Sequence, residues 1–172
     1  MSDPESAVAT FESAFASRAP HLGMAPEVPA HRASLCELFI ACSPLVGRLP
    51  PSLFNMQFES QDASFRAARP LAMRRVITLA GQPIARIILD WQVPCASHGV
   101  DIAVHPDHRG CGAGLALLRA WLAAADGERR TCTLDVIADN PARRIYERLG
   151  FVEAQSDPGA PYCVMVRPRT DT

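Results

Sequence analysis

Apolar residues recur at helical spacing in the first third of the chain, whereas the later part has the shorter apolar runs typical of strands. The helical spacing predicts one helix from Pro29 to Cys42, before Ser43-Pro44, and a second from Pro51 to Arg69, before Pro70. The apolar stripe of the first helix consists of Leu35, Leu38, Phe39 and Cys42, and that of the second of Leu53, Phe54, Phe58 and Phe65.

The N-terminal segment is acidic and predicts little stable structure. Residues 1–19 are expected to form a flexible leader, or at most a marginal helix that frays. Leu22 to Ala25 predict a short strand that ends at Pro26. The folded part of the chain is therefore expected to be a single domain that spans 20–172.

The remaining elements are predicted to be mainly strands. Two strands, 74–79 and 84–91, flank the turn Ala80-Gly81-Gln82-Pro83 as a hairpin. After them come a turn over 94–99, a strand over 100–104, a helix over 112–125, a strand over 131–138, a helix over 141–149, and strands over 151–155 and 162–167 around a Ser-Asp-Pro-Gly turn. This order predicts a mixed α/β (α+β) domain built on one sheet. Because a helix connects them, the strands at 100–104 and 132–137 are expected to be parallel neighbours.

Composition narrows the class of protein. The 172 residues suffice for one domain with its own core. A net charge of −1 gives no attraction to nucleic acid or to an anionic membrane, and no apolar run approaches the roughly 20 residues that a membrane span needs. The N-terminus lacks the basic and apolar regions of a signal peptide, and the six cysteines form no C-x-x-C pair. We therefore expect a cytoplasmic protein with reduced and mostly buried thiols, no metal, and neither a nucleic-acid nor a membrane partner.

One glycine-rich turn, Arg109-Gly-Cys-Gly-Ala-Gly114, separates a predicted strand from a predicted helix. The first N–H groups of a helix have no internal partner, and the helix dipole adds about half a positive charge there. Glycines at 110, 112 and 114 allow a ligand's oxygens to approach the amides directly, and Arg109 adds a cationic fork suited to phosphate. The pattern predicts an anion site, the alternative being a turn whose glycines merely permit positive φ angles.

Two familiar phosphate sites fit this turn poorly. A P-loop needs Gly-Lys-Ser/Thr, and the chain contains no lysine. A dinucleotide site needs the spacing G-x-G-x-x-G and an acidic residue about 20 positions later, at the end of a strand. Asp135 lies at that distance, but inside the predicted strand rather than at its end, and the glycine spacing is G-x-G-x-G. A dinucleotide oxidoreductase remains the weaker alternative.

The turn, placed between Val104-His-Pro106 and Leu115-Ala-Leu-Leu118, resembles the R-x-x-G-x-G/A signature of the GNAT N-acetyltransferase superfamily. The segment from Leu134 to Phe151 also resembles that family, in which an asparagine, a tyrosine and a Gly-Phe pair follow the strand. The resemblance covers residues 73–167. It implies a GNAT-like twisted sheet, mostly antiparallel, with helices on both faces and a splayed strand pair that binds acetyl-CoA. It assigns the pyrophosphate to the turn formed by Arg109, Gly110, Cys111, Gly112, Ala113 and Gly114.

The resemblance also gives roles to two residues of the second segment. Asn140-Pro141 is a helix start in its own right, so Asn140 either caps the helix only or also binds the arm of CoA. Tyr146 is either a core tyrosine with one hydrogen bond or, as the family implies, the group that protonates the departing thiolate. A phenol with a pKa near 10 can donate to a thiolate of similar basicity.

The strand before the turn is expected to act through its backbone. In the family it splays from its neighbour, which assigns main-chain contacts with the acyl donor to Ile102, Ala103 and Val104. The proton acceptor for the attacking amine is open. Asp101 is the candidate nearest in sequence, with Glu59 and His98 as alternatives, although an exposed aspartate at a strand edge is more often a solvated charge.

The sequence thus predicts an N-acetyltransferase that moves an acetyl group from acetyl-CoA to a primary amine of a small molecule or peptide, by direct attack. The acceptor is expected to be selected by the first two helices and by loops near 94–99 and 156–161. The helix that contains FNMQFESQDASF is either an acceptor wall or a solvated amphipathic helix. A non-catalytic acyl-CoA-binding sensor or interaction module is the alternative function, and homodimer formation is left open.

Overall fold

One mixed sheet organises the residues that the computed structural model describes, 3–154 and 159–170. Its strand order is β1-β2-β3-β4-β5-β7-β6. The strands are β1 (Gly23–Pro26), β2 (Met73–Leu79), β3 (Gln82–Asp90), β4 (Ala96–Val104), β5 (Thr131–Ile137), β6 (Val152–Glu153) and β7 (Tyr162–Arg167). The helices are α1 (Pro4–Arg18), α2 (Arg32–Cys42), α3 (Pro51–Ala68), α4 (Ala113–Gly127) and α5 (Arg143–Arg148). This is the mixed, mostly antiparallel architecture that the sequence predicts.

The predicted parallel neighbours are confirmed, but the paired residues of the first strand lie before the predicted range 100–104. Strands β4 and β5 pair in parallel from Ala96 opposite Thr131 to Gly99 opposite Leu134, and the ladder ends there. The other strand pairs of the sheet described here are antiparallel. The rest of β4 therefore separates from β5 on one side while it stays bonded to β3 on the other.

Helices cover both faces of the sheet. Helix α4 is apolar around most of its circumference, because α1 packs on one side of it and the sheet on the other. Trp121 of α4 is fully buried against Phe151, in one core with α1. On the opposite face, Leu35 and Leu38 of α2 pack with Phe58 of α3 over Val76.

Residues 4–18 of the predicted leader form α1, an integral helix. Asp3 caps the helix by accepting a hydrogen bond from the Glu5 N–H at 3.1 Å. Ala7, Phe11 and Phe15 recur every four residues, and each is at most 1% exposed in the core against α4. This narrow stripe lies among acidic and small residues, so its pattern is weak in the sequence.

The predicted turn over 94–99 is also wrong in its second half, where β4 has already begun at Ala96. The sequence pattern suggests that Gly99 belongs to a turn, but in the structure it is packing that requires a glycine at this position. A Cβ on Gly99 would lie 2.9 Å from Cη2 of Trp121, closer than van der Waals contact allows. The reversal itself lies before β4, where Arg130 donates from Nη1 to the carbonyls of Trp91, Val93 and Ala96 at 2.8–3.1 Å.

Three further expectations concern the rest of the chain. The turn over 156–159 and the end of the strand over 151–155 lie mostly outside the described residues. All six cysteines are free, and Cys95 and Cys111 are exposed rather than buried. Among the described residues, the helices are too short or too polar to span a bilayer.

Candidate active site

A cleft of about 620 Å³ opens where β4 and β5 separate. One side of it is formed by Gln61 and Phe65 of α3, by Arg69 directly after this helix, and by His98 and Asp101 of β4. The other side is formed by Asn140 and Tyr146, next to the residues of β5. Side chains from both faces of the sheet thus border one opening, and we refer to it as the cleft.

A β-bulge at Val100 determines which side chains of β4 face α3. Ile88 pairs with Asp101 and Leu89 with Gly99, so Val100 has no partner on β3. The extra residue places His98 and Asp101, three positions apart, on the same face of the sheet; regular alternation would put them on opposite faces. The bulge therefore brings two titratable groups to the α3 side of the cleft.

Asp101 lies at the edge of a group of buried charges. Its side chain is 26% exposed, and its Oδ2 is 3.8 Å from Nη1 of Arg86. Burial raises the pKa of the Asp101 carboxyl, while the guanidinium groups of Arg86 and Arg74 lower it. The expectation of an exposed, merely solvated aspartate is not met: Asp101 is a largely desolvated carboxyl group that faces the cleft.

His98 is held by β5 at the closed end of the cleft. Its Nδ1 lies 2.8 Å from Oγ1 of Thr133, and its Nε2 lies 3.7 Å from Oδ2 of Asp135. Burial, and then the charge of Arg69, lower the pKa of His98, while Asp135 opposes this shift. The imidazole is therefore neutral at pH 7, and it remains a possible second proton acceptor.

The third candidate, Glu59, faces elsewhere. Its carboxylate pairs with Arg32 of α2, and its side chain is largely exposed. Helix α3 turns Gln61 and Phe65 to the cleft and buries Phe54, Phe58 and Asp62 against the sheet. The helix is thus both a wall of the cleft and an amphipathic packing element, and Glu59 belongs to neither of these faces.

Tyr146 reaches the cleft from α5. Its ring packs edge-on against Phe151, with centroids 5.9 Å apart, and Phe151 in turn contacts Trp121. Burial raises the pKa of the Tyr146 phenol, and the negative charge of Asp101 raises it further. The phenol is therefore protonated at pH 7 and retains a proton to donate.

Asn140 is a capping residue that also borders the cleft. Its Oδ1 accepts a hydrogen bond from the N–H of Ala142 at 2.9 Å, which supports the turn that leads into α5. The two N–H donors of the same amide are not used by this bond. The local sequence Asn140-Pro141 therefore fixes the start of the element that carries Tyr146.

The main chain of β4 divides into two sets. His105 N–H donates to Ile84 C=O at 2.8 Å, and the antiparallel ladder continues without a shift as far as Asp101. Because bonded and non-bonded pairs alternate, Ala103 directs its N–H and C=O to β3, while Ile102 and Val104 direct theirs away from β3. The C=O of Val104 accepts a hydrogen bond from the Cys42 thiol at 3.4 Å. Of the three residues predicted to act through their backbone, Ile102 lines the cleft, whereas Ala103 bonds to β3.

The glycine turn has the geometry of an open anion cradle. Gly110 and Gly112 have φ angles of 82° and 88°, values that other residues rarely adopt. A Cβ at either position would meet no protein atom within 4 Å, so close packing within the protein does not explain these glycines. Gly112 is the N-cap of α4, with its C=O accepting the first helical bond from Ala116 N–H, and Arg109 and Cys111 beside it are exposed. The N–H groups of this turn are available to a phosphate.

The arginine–carboxylate group beneath Asp101 was missed by the sequence reasoning. Arg86 is 4% exposed and contacts Glu27 and Asp62 as well as Asp101. A signal was present, because Arg86 interrupts an apolar strand, Ile-Ala-Arg-Ile-Ile, where a buried charge requires partners. Its partners, however, come from elements remote in sequence.

Comparison with known proteins gives one family match. Residues 74–153 match the family model described as an acetyltransferase (GNAT) domain, which includes β4, the glycine turn and α5. A comparison with curated proteins finds no match. The stretch from β2 to β6 is therefore similar to GNAT acetyltransferase domains.

Solved structures show the same fold at low sequence identity. The PaiA N-acetyltransferase of Thermoplasma acidophilum, in complex with coenzyme A, is 14% identical with a TM-score of 0.66, over 86% of this chain and 98% of that one. Ard1 of Thermoplasma volcanium is 20% identical with a TM-score of 0.63, over 88% and 99%. The ribosomal-protein-S18-alanine N-acetyltransferase of Escherichia coli is 22% identical with a TM-score of 0.61, over 88% and 96%.

Proposed function

We propose that this protein transfers the acetyl group of acetyl-CoA to the primary amine of a small-molecule or peptide acceptor, by direct attack of the amine. The observation that carries the proposal is the cleft itself. A protonated phenol on one side and a desolvated carboxyl group on the other border the same opening, 620 Å³ in volume. The structural likeness to an acetyltransferase that holds coenzyme A supports the choice of donor.

The donor is proposed to lie along the α4 and α5 side of the cleft. The N–H groups at Gly110, Gly112 and Gly114, with Arg109, would hold its pyrophosphate. Asn140 would donate from its free amide nitrogen to the pantetheine arm, and the main-chain groups of Ile102 and Val104 would bond the same arm and the acetyl carbonyl. Cys111 and Ala113 would contribute main-chain contacts only.

The acceptor is proposed to enter from the α3 side, past Gln61 and Phe65. Its amine nitrogen attacks the acetyl carbonyl carbon, and the carbon–sulfur bond then breaks. Asp101 accepts the proton that the amine loses, and Tyr146 donates its phenolic proton to the departing sulfur. One proton enters the site with the amine and one leaves with the thiol, so the pair returns to its starting state once Asp101 has passed its proton to Tyr146 through solvent.

The experiment that tests the function is acetyl-CoA turnover with a panel of amines. Free thiol should appear only when an accepted amine is present, and mass spectrometry should find that amine heavier by one acetyl group. Tight binding of acetyl-CoA without thiol release, for amino acids, polyamines, aminoglycosides and peptide N-termini alike, would instead favour the non-catalytic acyl-CoA sensor.

A further inference from the structure

Beneath the cleft lies a group of buried charges that connects the sheet with α3. Asp62 of α3 is 2% exposed and receives hydrogen bonds from four arginines, namely Arg32, Arg66, Arg74 and Arg86. These bonds hold the pKa of Asp62 far below its usual range, against the opposing effect of burial. Asp62 is therefore a permanent anion that fixes the positions of the arginines around it.

Arg86 is the member of this group that extends toward the active site. Its Nε donates to Glu27 at 3.1 Å, its Nη2 donates to Asp62, and its Nη1 lies 3.8 Å from Oδ2 of Asp101. The first two contacts immobilise the guanidinium group. Its remaining nitrogen, Nη1, therefore holds a fixed positive charge beside the carboxyl group of Asp101.

We infer that Arg86 is a positioning residue for the acetyl transfer: held by Glu27 and Asp62, it keeps the cleft-facing Asp101 ionised and oriented to accept the proton of the acceptor amine. This inference rests on the proposed role of Asp101 as the base. Desolvation would otherwise favour the neutral carboxylic acid, which cannot accept a proton. Arg86 supplies the charge that offsets desolvation without touching the substrate.

The other charged groups that face Asp101 fit this assignment. From the sheet side, Arg74 of β2 also lowers the pKa of Asp101, while Glu27 and Asp62 raise it. Across the cleft, Tyr146 of α5 responds to the Asp101 charge, and from α2 the thiol of Cys42 does so as well. Within this set, Arg86 is the residue whose positive charge lies within 4 Å of the Asp101 carboxylate.

The test separates this charge effect from a purely structural role. Arg86→Gln alone would remove one of the two arginines that donate to the buried Glu27 carboxylate, so the variant of choice is Glu27→Gln/Arg86→Gln, compared with Glu27→Gln. In both variants Asp62 retains Arg32, Arg66 and Arg74. The readouts are the pH dependence of kcat/KM and the titration of the Asp101 carboxyl carbon by ¹³C NMR, assigned with Asp101→Asn.

Relative to Glu27→Gln, the double variant should raise the Asp101 pKa, and with it the acid limb of the profile, by about one unit or more. Glu27→Gln/Arg86→Lys should restore part of the shift because it retains the charge. Arg66→Gln, which loses bonds to the same two carboxylates but does not approach Asp101, should leave the limb in place. Equal Asp101 titration in the Glu27→Gln and double variants, with a rate loss uniform over pH, would overturn the inference.

Failure of the proposed function would be visible separately. If Asp101→Asn kept the wild-type rate, Asp101 would not be the base, and Arg86 would lose its catalytic purpose. The NMR titration needs no turnover, so it would still decide whether Arg86 controls the Asp101 charge.

Discussion

Asp101 and Tyr146 influence each other across the cleft, although one belongs to the middle of β4 and the other to α5. Burial raises the pKa of the Tyr146 phenol, and the Asp101 carboxylate adds to that effect. At neutral pH this coupling keeps the proton on the phenol, where a leaving thiolate needs it, and favours its release once Asp101 has become neutral. An acid and a base with linked protonation thus border one cleft.

The coupling can be observed without turnover, because the chain has only two tyrosines, Tyr146 and the exposed Tyr162. In an ultraviolet titration, the high-pH step that disappears in Tyr146→Phe is the ionisation of the Tyr146 phenol. In Asp101→Asn the high-pH step should move to lower pH, since the carboxylate that opposes phenolate formation is gone. A step that stays in place in Asp101→Asn would show that the two groups are not coupled.

The proposed base makes a prediction for the rate as a function of pH. The Asp101 carboxyl must be ionised to accept a proton, and its pKa is raised, so kcat/KM should fall as the pH decreases through a value above the ordinary aspartate range. Asp101→Asn should lower kcat by about 10²-fold or more and remove this limb. The acceptor amine also titrates, so a second amine of different basicity serves as the control: the Asp101 limb should not move with it. If His98 is the base instead, His98→Gln rather than Asp101→Asn will remove the limb.

The glycine turn predicts where the donor binds. Gly112→Glu should abolish acetyl-CoA binding, because the side chain enters the open space above the helix N-terminus and its charge repels phosphate. Gly127→Glu, at the exposed opposite end of α4, is the matched control and should bind normally. Arg109→Gln should weaken binding by about tenfold. Calorimetric titration that gives wild-type affinity for a folded Gly112→Glu protein would exclude this turn as the pyrophosphate site.

At Gly99, where β4 and β5 separate, the structure leaves no room for a side chain. Gly99→Ala should destabilise the protein by about 1–3 kcal/mol, because the new Cβ meets the indole of Trp121. Gly127→Ala, with open space around its Cβ, should change the free energy of unfolding by well under 1 kcal/mol or increase it slightly. Urea denaturation measures both. Equal stability of the two variants would mean that Trp121 yields easily and that Gly99 is not constrained by packing.

Because α1 packs in the core, truncating one of its buried side chains should lower the free energy of unfolding, which it would not do in a flexible leader. Phe11→Ala should reduce the free energy of unfolding by about 3–5 kcal/mol, because it removes a fully buried ring from the contact with α4. Thr10→Ala, at an exposed neighbouring position, is the control. If the two variants had the same midpoint in thermal or urea unfolding, residues 4–18 would be a flexible leader and not part of the core.

The sequence alone reveals the parts of the site that are local in the chain. The glycine turn with Arg109, and the segment that contains Asn140 and Tyr146, each depend on neighbours within a few residues, so their patterns are visible without a structure. The hairpin and the parallel neighbour pair also follow from the order of elements. These features locate Tyr146, the proposed proton donor, and the glycine turn that is proposed to bind acetyl-CoA.

Contacts between remote segments explain what the sequence does not show. The bulge at Val100 arises from the register between β3 and β4, and it alone puts His98 and Asp101 on one face. Arg86 meets Asp62 and Glu27, which are 24 and 59 positions away. Helix α1 is recognisable only once α4 covers its narrow apolar stripe, and the role of Gly99 only once Trp121 is in place.

The central claim is that Tyr146 protonates the departing thiolate, and one kinetic comparison tests it most directly. Wild type and Tyr146→Phe are measured with acetyl-CoA and with the acetyl thioester of an acidic aryl thiol, using one accepted amine. With acetyl-CoA, kcat should fall by about 10²- to 10⁴-fold in Tyr146→Phe while acetyl-CoA affinity is retained. With the aryl thioester the loss should be much smaller, since that thiolate leaves without a proton. A Phe variant that turns over acetyl-CoA at the wild-type rate would contradict the account and leave Tyr146 as a packing residue against Phe151.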